Sequence, residues 1–94
     1  MAWYVYLIEC RDGSIYTGIA IDVAARYAAH ESGKGARYTR SHPPRRLLAA
    51  IEYADRSAAS KAEYQIKRLS PEDKRELGRR HAGAVRARET RRRT

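Results

Sequence analysis

The chain has 94 residues and carries 20 Lys and Arg against 11 Asp and Glu, a formal net charge of +9. That length supports one small domain, and a surplus of this sign selects anionic partners, nucleic acid first among them. The longest uncharged N-terminal stretch, Met1 to Ile8, is too short to span a bilayer and lacks the marks of a secretory signal, while Cys10 is alone and the three His are scattered, which excludes an internal disulfide and a Cys/His zinc site.

A reducing, cytoplasmic setting without a membrane is the expectation. The charge is uneven: residues 79–94 hold seven Arg and one acid, whereas residues 1–78 are only mildly basic. The chain therefore reads as a globular domain over residues 1–78, followed by an arginine-rich tail over 79–94 that is expected to be disordered without a partner.

Trp3 to Cys10 is aromatic and β-branched and predicts a strand. Asp12-Gly13 marks a tight turn, and Ile15 to Ala20 resumes the pattern, so the two segments predict an antiparallel hairpin. Gly18 inside the second strand predicts close backbone approach or a bulge. Asp22 is a good N-cap for a helix over Val23 to about Ser32, stopped by Gly33 and Gly35. Arg26 and His30 share one face at i, i+4, and Val23 and Tyr27 lie on the face beside it.

Residues 33–46 read as a loop holding Lys34, Arg37, Arg40, Arg45 and Arg46 with no acid, and Tyr38 among them. Leu47 to Ala54 is a third strand. Asp55 or Ser57 caps a helix from about Ala58 to Leu69, and Ser70-Pro71-Glu72-Asp73 opens a last helix to about Leu77, with Gly78 as its end. The order β-β-α-β-α-α predicts an α+β domain, a small three-stranded antiparallel sheet flanked by helices.

The ordered set Tyr4-Val5-Tyr6, Tyr16-Thr17-Gly18, Arg26-x-x-x-His30, Gly33 to Thr39 and Glu63 resembles the GIY-YIG nuclease family. The likeness is to small single-domain bacterial members, themselves similar to the catalytic domain of structure-specific junction endonucleases, and it covers about residues 3–78. It implies catalytic roles for Tyr6, Tyr16, Arg26 and His30, a structural role for Gly18, and one Mg²⁺ or Mn²⁺ on Glu63. It further implies hydrolysis of DNA phosphodiesters, structure-specific for branched, flapped or nicked DNA, in repair or recombination. Two features depart from the family pattern: the first triplet has no Gly and Thr17 stands for the usual Ile. Some branches carry an active-site Asn, and this chain has no Asn.

The residue types suit the chemistry. Arg26 is permanently charged and can fork onto two phosphate oxygens, and Mg²⁺ is satisfied by one carboxylate because it keeps several waters. The general base stays open among Tyr6, Tyr16 and His30: a free phenol, with a pKa of about 10, is ionised in roughly one molecule per thousand at pH 7, and His titrates near ~6.5. Lys34, Arg37, Arg40, Arg45 and Arg46 form a candidate phosphate track, with Tyr38 placed to stack on a base.

With no Asn and one Gln, adenine readout through an amide has almost no means, so sequence-specific recognition is not expected. The alternative reading is a non-catalytic nucleic-acid-binding module, RNA- or ribosome-associated, that keeps the fold. A protein partner that supplies substrate choice is a further possibility, and a monomer is the default.

Overall fold

The computed structural model describes residues 1–81. Seven elements follow in order: β1 (Trp3–Cys10), β2 (Ile15–Ala20), α1 (Val23–Glu31), α2 (Arg37–Ser41), β3 (Pro44–Tyr53), α3 (Arg56–Lys67) and α4 (Pro71–Arg80). The sheet is antiparallel throughout, in the order β2-β1-β3, which leaves one edge of β2 unpaired within the sheet. Of the tail expected at residues 79–94, Arg79 and Arg80 continue α4, and the rest beyond His81 lies outside the described residues.

The central position of β1 explains its nearly unbroken apolar sequence, since it is covered on both faces. Tyr6, Ile8 and Cys10 pack with Ala20, Val23, Tyr27 and Ala50 on the α1 side. Val5 and Leu7 pack with Ile15, Ala49, Ala59 and Ile66 on the α3 side. The hairpin is closed as its turn residues require: Cys10 N–H donates to Ser14 O (2.8 Å) and Gly13 N–H to Cys10 O (3.0 Å), while the Asp12 carboxylate accepts from the Ser14 amide at 3.0 Å. Asp22, Asp55 and Ser70 cap α1, α3 and α4, accepting from the amides of Ala25, Ala58 and Asp73.

Two expectations need correction, and a third is narrowed to one of its alternatives. Residues 33–46 are not one loop: Arg37–Ser41 form α2, and β3 begins at Pro44, so Arg45 and Arg46 lie on a strand. The register sets Arg46 opposite Glu9. Gly78 does not end the last helix. It is buried inside α4, where a Cβ would stand 3.3 Å from Leu48 Cβ, so its lack of a side chain lets the helix approach β3. Gly18 is a site of close approach, as described below; the irregularities in the sheet lie instead between β1 and β3, at Leu7/Ile8 and Glu9/Cys10.

Glu9 ties three elements together. Its buried carboxylate on β1 accepts from Arg46 Nε of β3 at 2.8 Å and from Arg75 of α4. The hydrogen bond from Arg46 is the main cause that holds its pKa below the ordinary Glu value; burial opposes it and Arg75 reinforces it. A depressed carboxylate contributes stability above its unfolded pKa and loses that contribution as pH falls through its folded value.

Glu9→Gln is therefore expected to cost about 1–2 kcal/mol at pH 7, the lower end applying because the Arg46 side chain is 64% exposed. Circular-dichroism melts should show the variant about 4–8 °C lower per kcal/mol at neutral pH. The gap should close below about pH 4; an equal gap at both pH values would reject the ion-pair account.

Candidate active site

Helix α1 lays Val23, Tyr27 and His30 on the sheet, a buried stripe at spacings of four and three. His30 is 1% exposed, so it belongs to this stripe and not to the exposed face that carries Arg26. Its ring nitrogens are both engaged. Nε2 lies 2.9 Å from the Tyr6 hydroxyl of β1, and Nδ1 lies 2.6 Å from Thr39 Oγ1 of α2, which in turn is 3.0 Å from the Ala36 carbonyl.

These contacts set the proton positions. A carbonyl can only accept, so the single Thr39 proton goes to Ala36 O. Thr39 Oγ1 then accepts from His30 Nδ1–H. In a neutral imidazole that leaves Nε2 as the acceptor, and the Tyr6 hydroxyl donates to it. Burial, and then the nearby Arg26 charge, pushes the His30 pKa below its ordinary value and favours the neutral ring. The Tyr6 phenol is pushed up to about 12, chiefly by burial and then by Tyr16, with Arg26 acting in the opposite direction. Tyr6 thus rests as a neutral donor aimed at a neutral acceptor.

Two glycines make room for this chain of hydrogen bonds. Gly18 is the register partner of Tyr6 on β2, and a Cβ there would fall 2.6 Å from the Tyr6 hydroxyl oxygen. At Gly35 a Cβ would fall 2.2 Å from His30 Nδ1 and 2.9 Å from His30 Cα. The requirement at both is close approach, and neither has a positive φ.

Tyr16 completes a ring cluster, with centroids 5.1 Å from His30, 6.2 Å from Tyr6 and 5.9 Å from Tyr38. Tyr38 stacks on His42 at 4.1 Å and 8°, so one face of its ring is already covered and the outer face of the stack belongs to His42. Lys34, Arg37, Arg40 and Arg45 are exposed beside this cluster or on β3. Arg46 is committed to Glu9.

Glu63 lies on α3, in the helical layer across the sheet from α1, and its carboxylate is 3.4 Å from Lys67 Nζ one turn on. Lys67 lines the same groove as Tyr16 and Thr17, so Glu63 sits one ion-pair contact from a wall that Tyr16 also forms. Among the described residues no three His, Cys, Asp or Glu side chains converge as a metal cage. A lone, partly exposed carboxylate is a hard oxygen donor, which fits an ion such as Mg²⁺ that retains most of its waters.

The structure brings Tyr6, Tyr16, Arg26 and His30 together, reaches Glu63 only through Lys67, and distributes the basic residues over the turn before α2, α2 itself and the start of β3, with Arg46 paired to Glu9. Thr39 carries this hydrogen-bond chain and Gly35 gives the His30 ring its space, two roles that no sequence motif marks. Thr39 is nine residues from His30 across a turn, and no local periodicity marks such a pair.

A small α+β domain that clusters two tyrosines, an arginine and a histidine in this order, with a carboxylate on the following long helix, has the build of a nuclease domain. Residues 2–76 match the GIY-YIG catalytic domain, and the chain belongs to that family of nucleases. It is 58% identical over 74 residues to a UPF0213 protein of Cupriavidus necator, covering 79% of this chain and 80% of the relative. A UPF0213 protein of Desulfotalea psychrophila is 53% identical over 77 residues, covering 81% and 70%. The solution NMR structure of a UPF0213 protein from Bacillus halodurans superimposes with a TM-score of 0.51 at 47% identity, covering 82% of each chain.

Proposed function

We propose that this chain is a metal-dependent endonuclease that hydrolyses DNA phosphodiester bonds, with branched, flapped or nicked DNA of repair or recombination as its substrate class. The observation that supports it most is the one-way hydrogen-bond chain from Tyr6 through His30 and Thr39 to Ala36. The chain leaves His30 Nε2 as an acceptor for the Tyr6 proton, which is what a tyrosine that relays a proton from water requires.

In this mechanism an attacking water gives its proton to the Tyr6 oxygen while Tyr6 passes its own proton to His30 Nε2. The new hydroxide oxygen bonds to phosphorus, and the bond from phosphorus to the 3′ oxygen breaks. The 3′ oxygen takes a proton from solvent, which leaves a 5′-phosphate and a 3′-hydroxyl. Tyr6 never stands as a free phenolate, a state that its high pKa makes costly. Arg26, exposed beside Tyr6, neutralises charge on the non-bridging oxygens. Tyr16 borders both His30 and the groove and orients the phosphate or the water. Glu63 would hold the divalent ion, which when bound supplies positive charge to the phosphate and the leaving oxygen.

The test is a panel of labelled linear, nicked, flapped and junction DNAs with Mg²⁺ or Mn²⁺. Wild type should cut at least one of them. Arg26→Ala and Glu63→Ala should each lose about 10²–10³-fold in rate while still binding. The Glu63–Lys67 pair is also what an ordinary solvated helix face contains, and it favours the second reading, a nucleic-acid-binding module without hydrolysis. Binding by wild type without cutting in either metal would select that reading.

A further inference from the structure

The unpaired edge of β2 borders a groove of about 370 Å³ lined by Ile15, Tyr16, Thr17, Tyr38, Lys67 and Lys74. Its composition divides by element. The β2 and α2 side supplies two phenol rings, which lie 5.9 Å apart. The α3 and α4 side supplies two ammonium groups, from Lys67 and Lys74. Thr17 forms the wall between them; its side chain is 3% exposed and its hydroxyl has no hydrogen-bond partner among the described residues.

We propose that this groove is a phosphate subsite for the nucleic-acid strand, with Lys67 and Lys74 gripping a phosphodiester adjacent to the one that reacts beside Tyr6 and Arg26. The inference rests on the nucleic-acid reading above and deepens it. Tyr16 connects the two places, since its ring touches the His30 cluster and also lines the groove.

Placing two ammonium groups in one groove is unfavourable for the protein alone. Burial, and then the charge of Lys67, disfavours the charged form of Lys74. A bound phosphate removes that penalty and replaces repulsion with two attractions. The phenol rings favour a nucleic-acid strand over an acidic peptide, because a sugar and base need apolar and aromatic walls whereas a run of carboxylates needs only charge.

The experiment is fluorescence anisotropy with a labelled single-stranded oligonucleotide and its duplex in EDTA, over a series of salt concentrations. Lys74→Gln and Lys67→Gln should each flatten the dependence of log affinity on log salt by about 0.7 for the single strand and about 0.9 for the duplex. Lys74→Arg should retain the wild-type slope. Lys61→Gln, which removes an equal charge from an exposed position of α3 outside the groove, should weaken binding less than either groove variant.

A Lys74→Gln slope equal to wild type, or one matched by Lys61→Gln, overturns the subsite. So does competition by polyglutamate as effective as that by unlabelled oligonucleotide. Because no metal is present, the readout is separate from hydrolysis. A flattened slope in a protein that cuts nothing leaves the subsite standing and removes the enzyme, whereas cutting with an unchanged slope does the reverse.

Discussion

Tyr6→Phe is expected to lower the single-turnover cutting rate by about 10²–10⁴-fold, the usual worth of a positioned proton-transfer group, with DNA affinity nearly unchanged. The variant removes one oxygen from a fully buried side chain and leaves the ring that packs with Ile8, Tyr27 and Ala50 in place. It also strips the buried His30 Nε2 of the donor it faces at 2.9 Å. An acceptor orphaned in this way costs about 1–3 kcal/mol, so the melting temperature should fall by several degrees. Activity and stability thus move together, but by very different factors. A cutting rate within tenfold of wild type would remove Tyr6 from the proton path.

The second large effect is expected at Gly35, and it can be separated from ordinary loop strain by a neighbour. A Cβ at Gly35 would lie 2.2 Å from His30 Nδ1 and 2.9 Å from His30 Cα, so Gly35→Ala must displace the α1 end, the ring or the turn. Overpacking of this kind costs about 1–3 kcal/mol, and it pushes the imidazole off the Thr39–Tyr6 line. Gly33 differs, because it has a φ of +78° and nothing within 4 Å of the position a Cβ would take. Gly33→Ala should cost about 1 kcal/mol in backbone strain and leave the cutting rate of the folded protein unchanged. Melting curves together with rates measured well below the melting temperature distinguish the two. Equal losses of activity at Gly33 and Gly35 would contradict a specific steric role for Gly35.

The features legible in the sequence are those whose chemistry is local. Asp-Gly in the hairpin, Asp22 and Ser70 as caps, and the Glu63–Lys67 pair all depend on residues within four positions of one another. The three-stranded sheet follows from them together with the apolar runs, and the clustering of Tyr6, Tyr16, Arg26 and His30 follows from the family resemblance.

The remainder depends on distant contacts. Five residues, Arg37–Ser41, are too few to form a helix on propensity alone, and α2 is set where Thr39 meets His30 and Tyr38 lies between Tyr16 and His42. Gly78 has the usual signature of a helix end, yet its direct packing on Leu48 of β3 makes it a packing glycine. Arg46 reads as part of a basic loop until the register of β3 brings it to Glu9. His30 stands four residues after Arg26 and reads with it, yet the spacing of Val23 and Tyr27 also marks it as the next member of the buried stripe.

The pH dependence of single-turnover cutting tests the Tyr6-to-His30 proton path most directly. With the Tyr6 phenol pushed up to about 12, and so neutral through pH 9, and His30 acting as acceptor, the rate should rise with one titration whose midpoint lies below the ordinary His value. It should then stay level to pH 9, and His30→Gln should abolish the acidic limb. A rate that instead climbs about tenfold per pH unit from 7 to 9 would mean that a phenolate must form before attack, and would contradict the path.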